Sequence, residues 1–158
     1  MSKAYYIGVE IGGTKQQLAV GLSDGTILDS RQVKLVYRRG AEDILDWLSD
    51  NIREYLAMAP YAGHIAGIGV GFGGPLETAT GRVLSSLQVP GWKNFQLKQW
   101  FETEFGLPVM VVNDTVTGGF AELYKGAGRN SENFFYTNIG TGIGGGLYIH
   151  RKYYDGSG

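Results

Sequence analysis

The placement of glycine constrains this chain more than any other feature. Its 158 residues include 26 glycines, grouped at Gly12-Gly13, Gly71 to Gly74, Gly118-Gly119 and Gly140 to Gly146. Linkers spread glycine evenly among serines, whereas glycine grouped at the ends of apolar runs is a loop chemistry. Short strands and helices joined by tight loops are therefore expected. The first such loop lies in Tyr6 to Val20, YIGVEIGGTKQQLAV. Tyr6, Ile7 and Val9 are β-formers, Gly12 and Gly13 permit backbone angles closed to other residues, and Gln17 to Val20 resumes an extended pattern. Glycine-bared N–H groups, the Thr14 hydroxyl and the Lys15 ammonium make a cradle for phosphate oxygens. A Walker loop has wider glycine spacing and leads into a helix, whereas this chain turns back as a hairpin. A glycine-rich hairpin with a surface Thr and Lys is the other reading these residues allow.

The length suits one ordinary domain, or one domain and the start of another. With a net charge of −1 and 14 scattered basic residues, nothing suggests a surface for nucleic acid or an anionic membrane. Cysteine is absent, which excludes disulfides and thiolate metal sites. Met1 to Ala4 runs into the first strand without a signal sequence, so a cytoplasmic protein is expected. No apolar run approaches the ~18 residues of a membrane span.

Ser23-Asp24-Gly25 reads as a turn and Thr26 to Val36 as a third strand, with Ile27, Val33 and Leu35 alternating, which completes an antiparallel meander. Ala41 to Met58 changes to a helical period, with Ile44, Leu45, Trp47, Leu48, Ile52, Tyr55, Leu56 and Met58 forming one broad apolar face, and Pro60 ends it. Ile65 to Phe72 is the continuous apolar run of a buried parallel strand. A small hairpin around Thr80-Gly81 follows, then a helix over Leu97 to Phe105 closed by Gly106 and Pro108. Val109 to Val112 is a second buried strand, Asn113-Asp114-Thr115 follows it, and a helix runs from about Val116 to Tyr124. Phe134 to Asn138 and Gly145 to His150 flank another glycine-bounded Thr loop, so a second copy of the opening unit begins near Asn133.

Four motifs then fall in one register: Glu10-Ile11-Gly12-Gly13-Thr14-Lys15, Gly71-Phe72-Gly73-Gly74-Pro75, Val112-Asn113-Asp114 with Ala121-Glu122, and Gly140-Thr141-Gly142-Ile143-Gly144-Gly145-Gly146. In order and spacing the whole chain resembles the N-terminal half of the ROK sugar kinases of the glucokinase and fructokinase group. The resemblance implies an α/β protein with the ribonuclease H-like fold of the actin, hexokinase and ROK kinase superfamily, a mixed sheet with flanking helices. It implies an N-terminal lobe over 1–125 and the first hairpin of an incomplete C-terminal lobe over 126–158. ATP and a small-molecule sugar are the implied partners, with Mg2+ as cofactor; a homo-oligomer is expected, and neither nucleic acid nor membrane.

By the same resemblance, Asp114 is the catalytic base that accepts the proton of the attacking sugar hydroxyl, where the residue alone suggests a helix N-cap. Asn113, Gly73 and Gly74 contact the sugar with Asp114, although a turn-forming Asn and a strand-ending glycine pair fit the same residues. Gly12, Gly13, Thr14 and Lys15 form the first phosphate loop, and Thr141, Gly142 and Gly144 the second. Glu10, where Asp is more usual, holds magnesium through a water; a charge at a strand end is the plainer alternative. Trp92 is taken as a core residue, and His64 and His150 receive no function.

Two departures lie on the sugar side. Ser86-Leu87-Gln88-Val89-Pro90 stands where the family has an Asn-Leu pair before Gly-Trp, and Thr115 where Ala is more usual. The resemblance implies that the family's Glu-x-Gly-His sugar ligands, its Cys-rich motif for a structural zinc and most of its adenine pocket would belong to sequence beyond Gly158. These 158 residues are therefore expected to be inactive alone, and the Phe134 to His150 hairpin to be disordered or to pair with another chain. Sugar-responsive regulators of the same family carry a helix-turn-helix ahead of the first loop, and only a few residues precede it here. An actin-like ATPase without a sugar substrate is the remaining alternative.

Overall fold

A computed structural model describes residues 3–34, 36, 39–86, 88–140 and 142–156. The opening motif folds as the hairpin its pattern predicts: β1 (Tyr5–Ile11) and β2 (Gln16–Gly21) pair antiparallel, burying Ile7, Val9, Ile11, Leu18 and Val20 on one face. β3 (Ile27–Val33) continues the meander but is shorter than the expected Thr26 to Val36, and Leu35 lies outside the described residues. As the edge strand it exposes Ile27 and Leu28 and carries Asp29 and Arg31, charges that discourage pairing with another chain.

α1 (Ala41–Ala57) presents Ile44, Leu48 and Ile52, all fully buried at four-residue spacing, with Tyr55 beside them. β4 (Ile65–Phe72) joins β1 in parallel. A two-stranded excursion, β5 (Leu76–Glu77) and β6 (Arg82–Val83), leads to α2 (Leu97–Phe105), which Gly106 ends at φ 65° in the left-handed region. β7 (Val109–Asn113) pairs parallel with β4, completing a mixed sheet of order β3-β2-β1-β4-β7. One apolar cluster joins this sheet to α1 and α2. Trp92 is part of it, 1% exposed and edge-on to Phe72 and Phe95, so its role is packing.

α3 (Asp114–Lys125) begins two residues before the expected start. A separate sheet follows, made of β8 (Phe134–Ile139), β9 (Ile143–Ile149) and β10 (Lys152–Tyr154) in the order β10-β9-β8. β10 has no periodicity long enough to read, and its turn uses His150 and Arg151 at φ 47° and 61° where a legible hairpin would show Asn-Gly. Among the described residues, no helix is long and apolar enough to cross a membrane.

The hairpin expected to be disordered or to pair with another chain packs against α3 within this chain. Tyr148 of β9 is fully buried and donates its hydroxyl to the Val116 carbonyl at 2.6 Å. Its ring fills the space a side chain at Gly119 would need, since a Cβ there would lie 2.3 Å from the phenol oxygen. Burial raises the Tyr148 hydroxyl to about 12, which keeps it a neutral donor. Tyr148→Phe removes this bond, although the carbonyl keeps its helical position in α3, and is expected to destabilise the fold by about 0.5–1.5 kcal/mol. Urea denaturation of the two proteins checks this, and an unchanged midpoint contradicts it.

Candidate active site

Parallel pairing sets Ile11, Phe72 and Asn113 side by side. The chain therefore leaves β1, β4 and β7 at one edge of the sheet, through Gly12, Gly73 and Asp114. Open parallel sheets bind ligands beyond the carboxyl ends of their strands, where connections diverge. Here that edge opens into a cleft of about 420 Å³.

The base candidate is seated by its neighbours. A Cβ on Gly73 would lie 3.1 Å from Asp114 Oδ2 and 3.3 Å from the Ile11 carbonyl, so any larger residue there would crowd the carboxylate. Gly73 N–H donates to that carbonyl at 2.9 Å, fixing the turn. The N-cap reading of Asp114 is corrected: Asn113 is the cap, its Oδ1 accepting from Thr115 N–H at 2.9 Å, and Asp114 is the first helical residue. Asp114 Oδ1 shares the same N–H at 2.8 Å. Asn113 Nδ2 donates to the Gly74 carbonyl at 3.1 Å and the Phe72 carbonyl at 3.4 Å. Asn113 thus holds the Gly73-Gly74 turn and keeps only Oδ1 lone-pair capacity for a ligand.

The first loop spans Gly12 to Lys15, because Ile11 pairs with Gln16. Gln16 is fully buried and donates through Nε2 to the Gly12 carbonyl at 2.8 Å, an anchor the sequence pattern did not single out. Neither Gly12 nor Gly13 has a positive φ, which corrects the expectation that they supply unusual backbone angles. Gly13 instead makes room for Gln88, whose Oε1 would lie 1.2 Å from a Cβ on it. Across the cleft, a Cβ on Gly144 would lie 2.1 Å from Thr115 Oγ1.

Glu10, Gly12, Gly13, Thr14 and Lys15 line this cleft, as do Gly73, Gly74, Asn113 and Asp114, together with Gly142 and Gly144. Thr141 lies outside the described residues. Gln88, Thr115 and Asn138 also line it and were not assigned from sequence. The only signal for Gln88 and Thr115 was that both depart from the family pattern.

Burial raises the Asp114 carboxyl above its ordinary range; the Thr115 N–H opposes this, and the charge of Glu10 adds to it. Glu10 accepts a hydrogen bond from Gln17 Nε2. No group of three or more metal-binding side chains occurs among the described residues. A carboxylate among hydroxyls and backbone groups is nevertheless a hard-oxygen set that fits Mg2+, an ion that keeps several waters and binds through one or two carboxylates and substrate phosphates.

Two glycine hairpins face a carboxylate at the end of a mixed sheet, and the chain has the ribonuclease H-like fold of the actin and hexokinase superfamily. It belongs to the ROK family, whose sequence model matches residues 6–158. It is 33% identical over 153 residues to a glucokinase of Halalkalibacterium halodurans, covering 93% of this chain and 44% of the relative. A ROK family glucokinase from Streptomyces griseus, solved in complex with glucose and AMPPNP, superposes with a TM-score of 0.80 at 32% identity, over 98% of this chain and 47% of that one. A ROK family transcriptional regulator, a homologue of the E. coli MLC protein, shares the fold with a TM-score of 0.82 at 24% identity, over 98% and 39% of the two chains. The chain thus spans about half the length of the kinases it matches.

A carboxyl whose pKa is raised by folding weakens the fold when ionised. The penalty is absent well below the ordinary value of 3.8 and grows as pH rises through the folded value. Asp114→Asn is therefore expected to melt at a higher temperature than the parent at neutral pH, with the gap closing in acid. A variant that melts lower at neutral pH contradicts this account of the carboxylate.

Proposed function

We propose that this protein is the N-terminal part of an ATP-dependent sugar kinase that transfers the γ-phosphate of ATP to a hexose hydroxyl. The observation that carries the reading is the seating of Asp114, with Oδ2 against Gly73 and Oδ1 on the Thr115 N–H, in a cleft shared by both glycine loops.

Each residue then has a task. Gly12, Gly13, Thr14 and Lys15 on one side, and Thr141, Gly142 and Gly144 on the other, hold the phosphates with backbone donors, hydroxyls and one ammonium. Gly73 and Gly74 let the backbone approach the sugar, and Asn113 Oδ1 accepts from one of its hydroxyls. Asp114 takes the proton of the attacking hydroxyl as its oxygen bonds to the γ-phosphorus and the bond to the bridging oxygen breaks, leaving ADP. The raised pKa brings the carboxylate closer to the basicity that proton transfer needs. Glu10 would hold Mg2+ through a water, and the ion would neutralise charge on the phosphates.

Residues 1–125 form the N-terminal lobe in this reading, and 126–158 open the second lobe. The protein is cytoplasmic and homo-oligomeric. These 158 residues contain no Glu-x-Gly-His sequence, so magnesium-ATP with a panel of hexoses is expected to give no turnover on them alone, and robust phosphorylation would contradict that. In the protein continued to the length of its relatives, Asp114→Asn is expected to lower phosphoryl transfer by about 10²- to 10⁴-fold while nucleotide affinity holds. Transfer within a few-fold of the parent would remove Asp114 as the base. Loss of nucleotide binding with it would point to an ATPase site.

A further inference from the structure

Thr115 stands between the two halves of the cleft. Its side chain is nearly buried, at 5% exposure, and its hydroxyl faces two acceptors, Asn138 Oδ1 at 3.3 Å and Asp114 Oδ1 at 3.5 Å. A hydroxyl has one proton, so it can give a full hydrogen bond to only one of them at a time. Asn138 belongs to β8, opposite Gly144 of β9, and the Thr115 oxygen occupies the space a Gly144 side chain would take. The second glycine loop and the Asp114 carboxylate therefore meet at one rotatable hydroxyl.

We propose that Thr115 is a positioning residue: its one hydroxyl proton goes either to Asn138 of the second hairpin or to the Asp114 carboxylate, so that the arrangement of that hairpin around phosphate sets whether the base is held. This rests on the reading of Asp114 as the base. A fixed carboxylate favours transfer because small misplacements of a reacting group are costly. Both acceptors the hydroxyl faces are protein groups, so its loss is expected to act on the chemical step more than on sugar affinity.

The test compares Thr115→Val, which keeps the shape and removes the hydroxyl, with Thr115→Ser, which keeps the hydroxyl. In the full protein, Val is expected to lower kcat by about 10-fold or more with the sugar KM within about 2-fold, and Ser to restore kcat to within about 3-fold of the parent. A Val variant that keeps its kcat, or a Ser variant as slow as Val, overturns the proposal. If the parent itself transfers phosphate to no hexose, the kinase reading fails instead. The tie is then decided without activity, by urea denaturation of the 158-residue chain carrying Thr115→Val, Asn138→Ala and both. Midpoint shifts that fall short of additivity support the contact, and additive shifts overturn it.

Discussion

The site depends on one register. Parallel pairing that sets Ile11 beside Phe72 and Phe72 beside Asn113 brings three loops distant in sequence to one edge of the sheet. The register is held by the faces of the strands: Ile7, Val9 and Ile11 of β1 and Ile68, Val70 and Phe72 of β4 are buried, and a slip of one residue would turn those side chains outward. Two bonds lock its ends, from Tyr5 N–H to the His64 carbonyl at 2.9 Å and from Gly73 N–H to the Ile11 carbonyl at 2.9 Å. The position of Asp114 thus rests on packing of apolar side chains against α1 and α2.

The glycines at this edge act chiefly by lacking a side chain. Gly73 leaves room for the Asp114 carboxylate, Gly13 for Gln88 and Gly144 for Thr115. Each brings a polar side chain from a distant part of the chain against the backbone, and each of those side chains lines the cleft. Away from the cleft, Gly118 and Gly119 do the same for the rings of Tyr136 and Tyr148, fastening the last sheet to α3. Glycine in this fold provides close contact between elements.

Most of the fold was legible because its elements carry strong local patterns. The spacing of Ile44, Leu48 and Ile52 reports α1, the unbroken apolar run Ile65 to Phe72 reports β4, and Gly106 marks the end of α2. β10 was missed because three residues hold no period, and α3 begins earlier than expected because Asn113 caps it. Glycine and carboxylate residues of the site were legible from type and order. Gln88 on Gly13 and Thr115 between Asp114 and Asn138 were not, because they are contacts between segments far apart in sequence and leave no mark in a local window.

A crystal structure of the protein continued to the length of its relatives, with a hexose and a non-hydrolysable ATP analogue, would show directly whether Asp114 meets the attacking hydroxyl. The account predicts one sugar hydroxyl within about 2.6–3.2 Å of an Asp114 carboxylate oxygen and in line with the γ-phosphorus. It also predicts phosphate oxygens bracketed by the Gly12 to Lys15 and Gly140 to Gly144 loops. A sugar bound with that hydroxyl facing another group, or a nucleotide whose phosphates lie away from both loops, would contradict it.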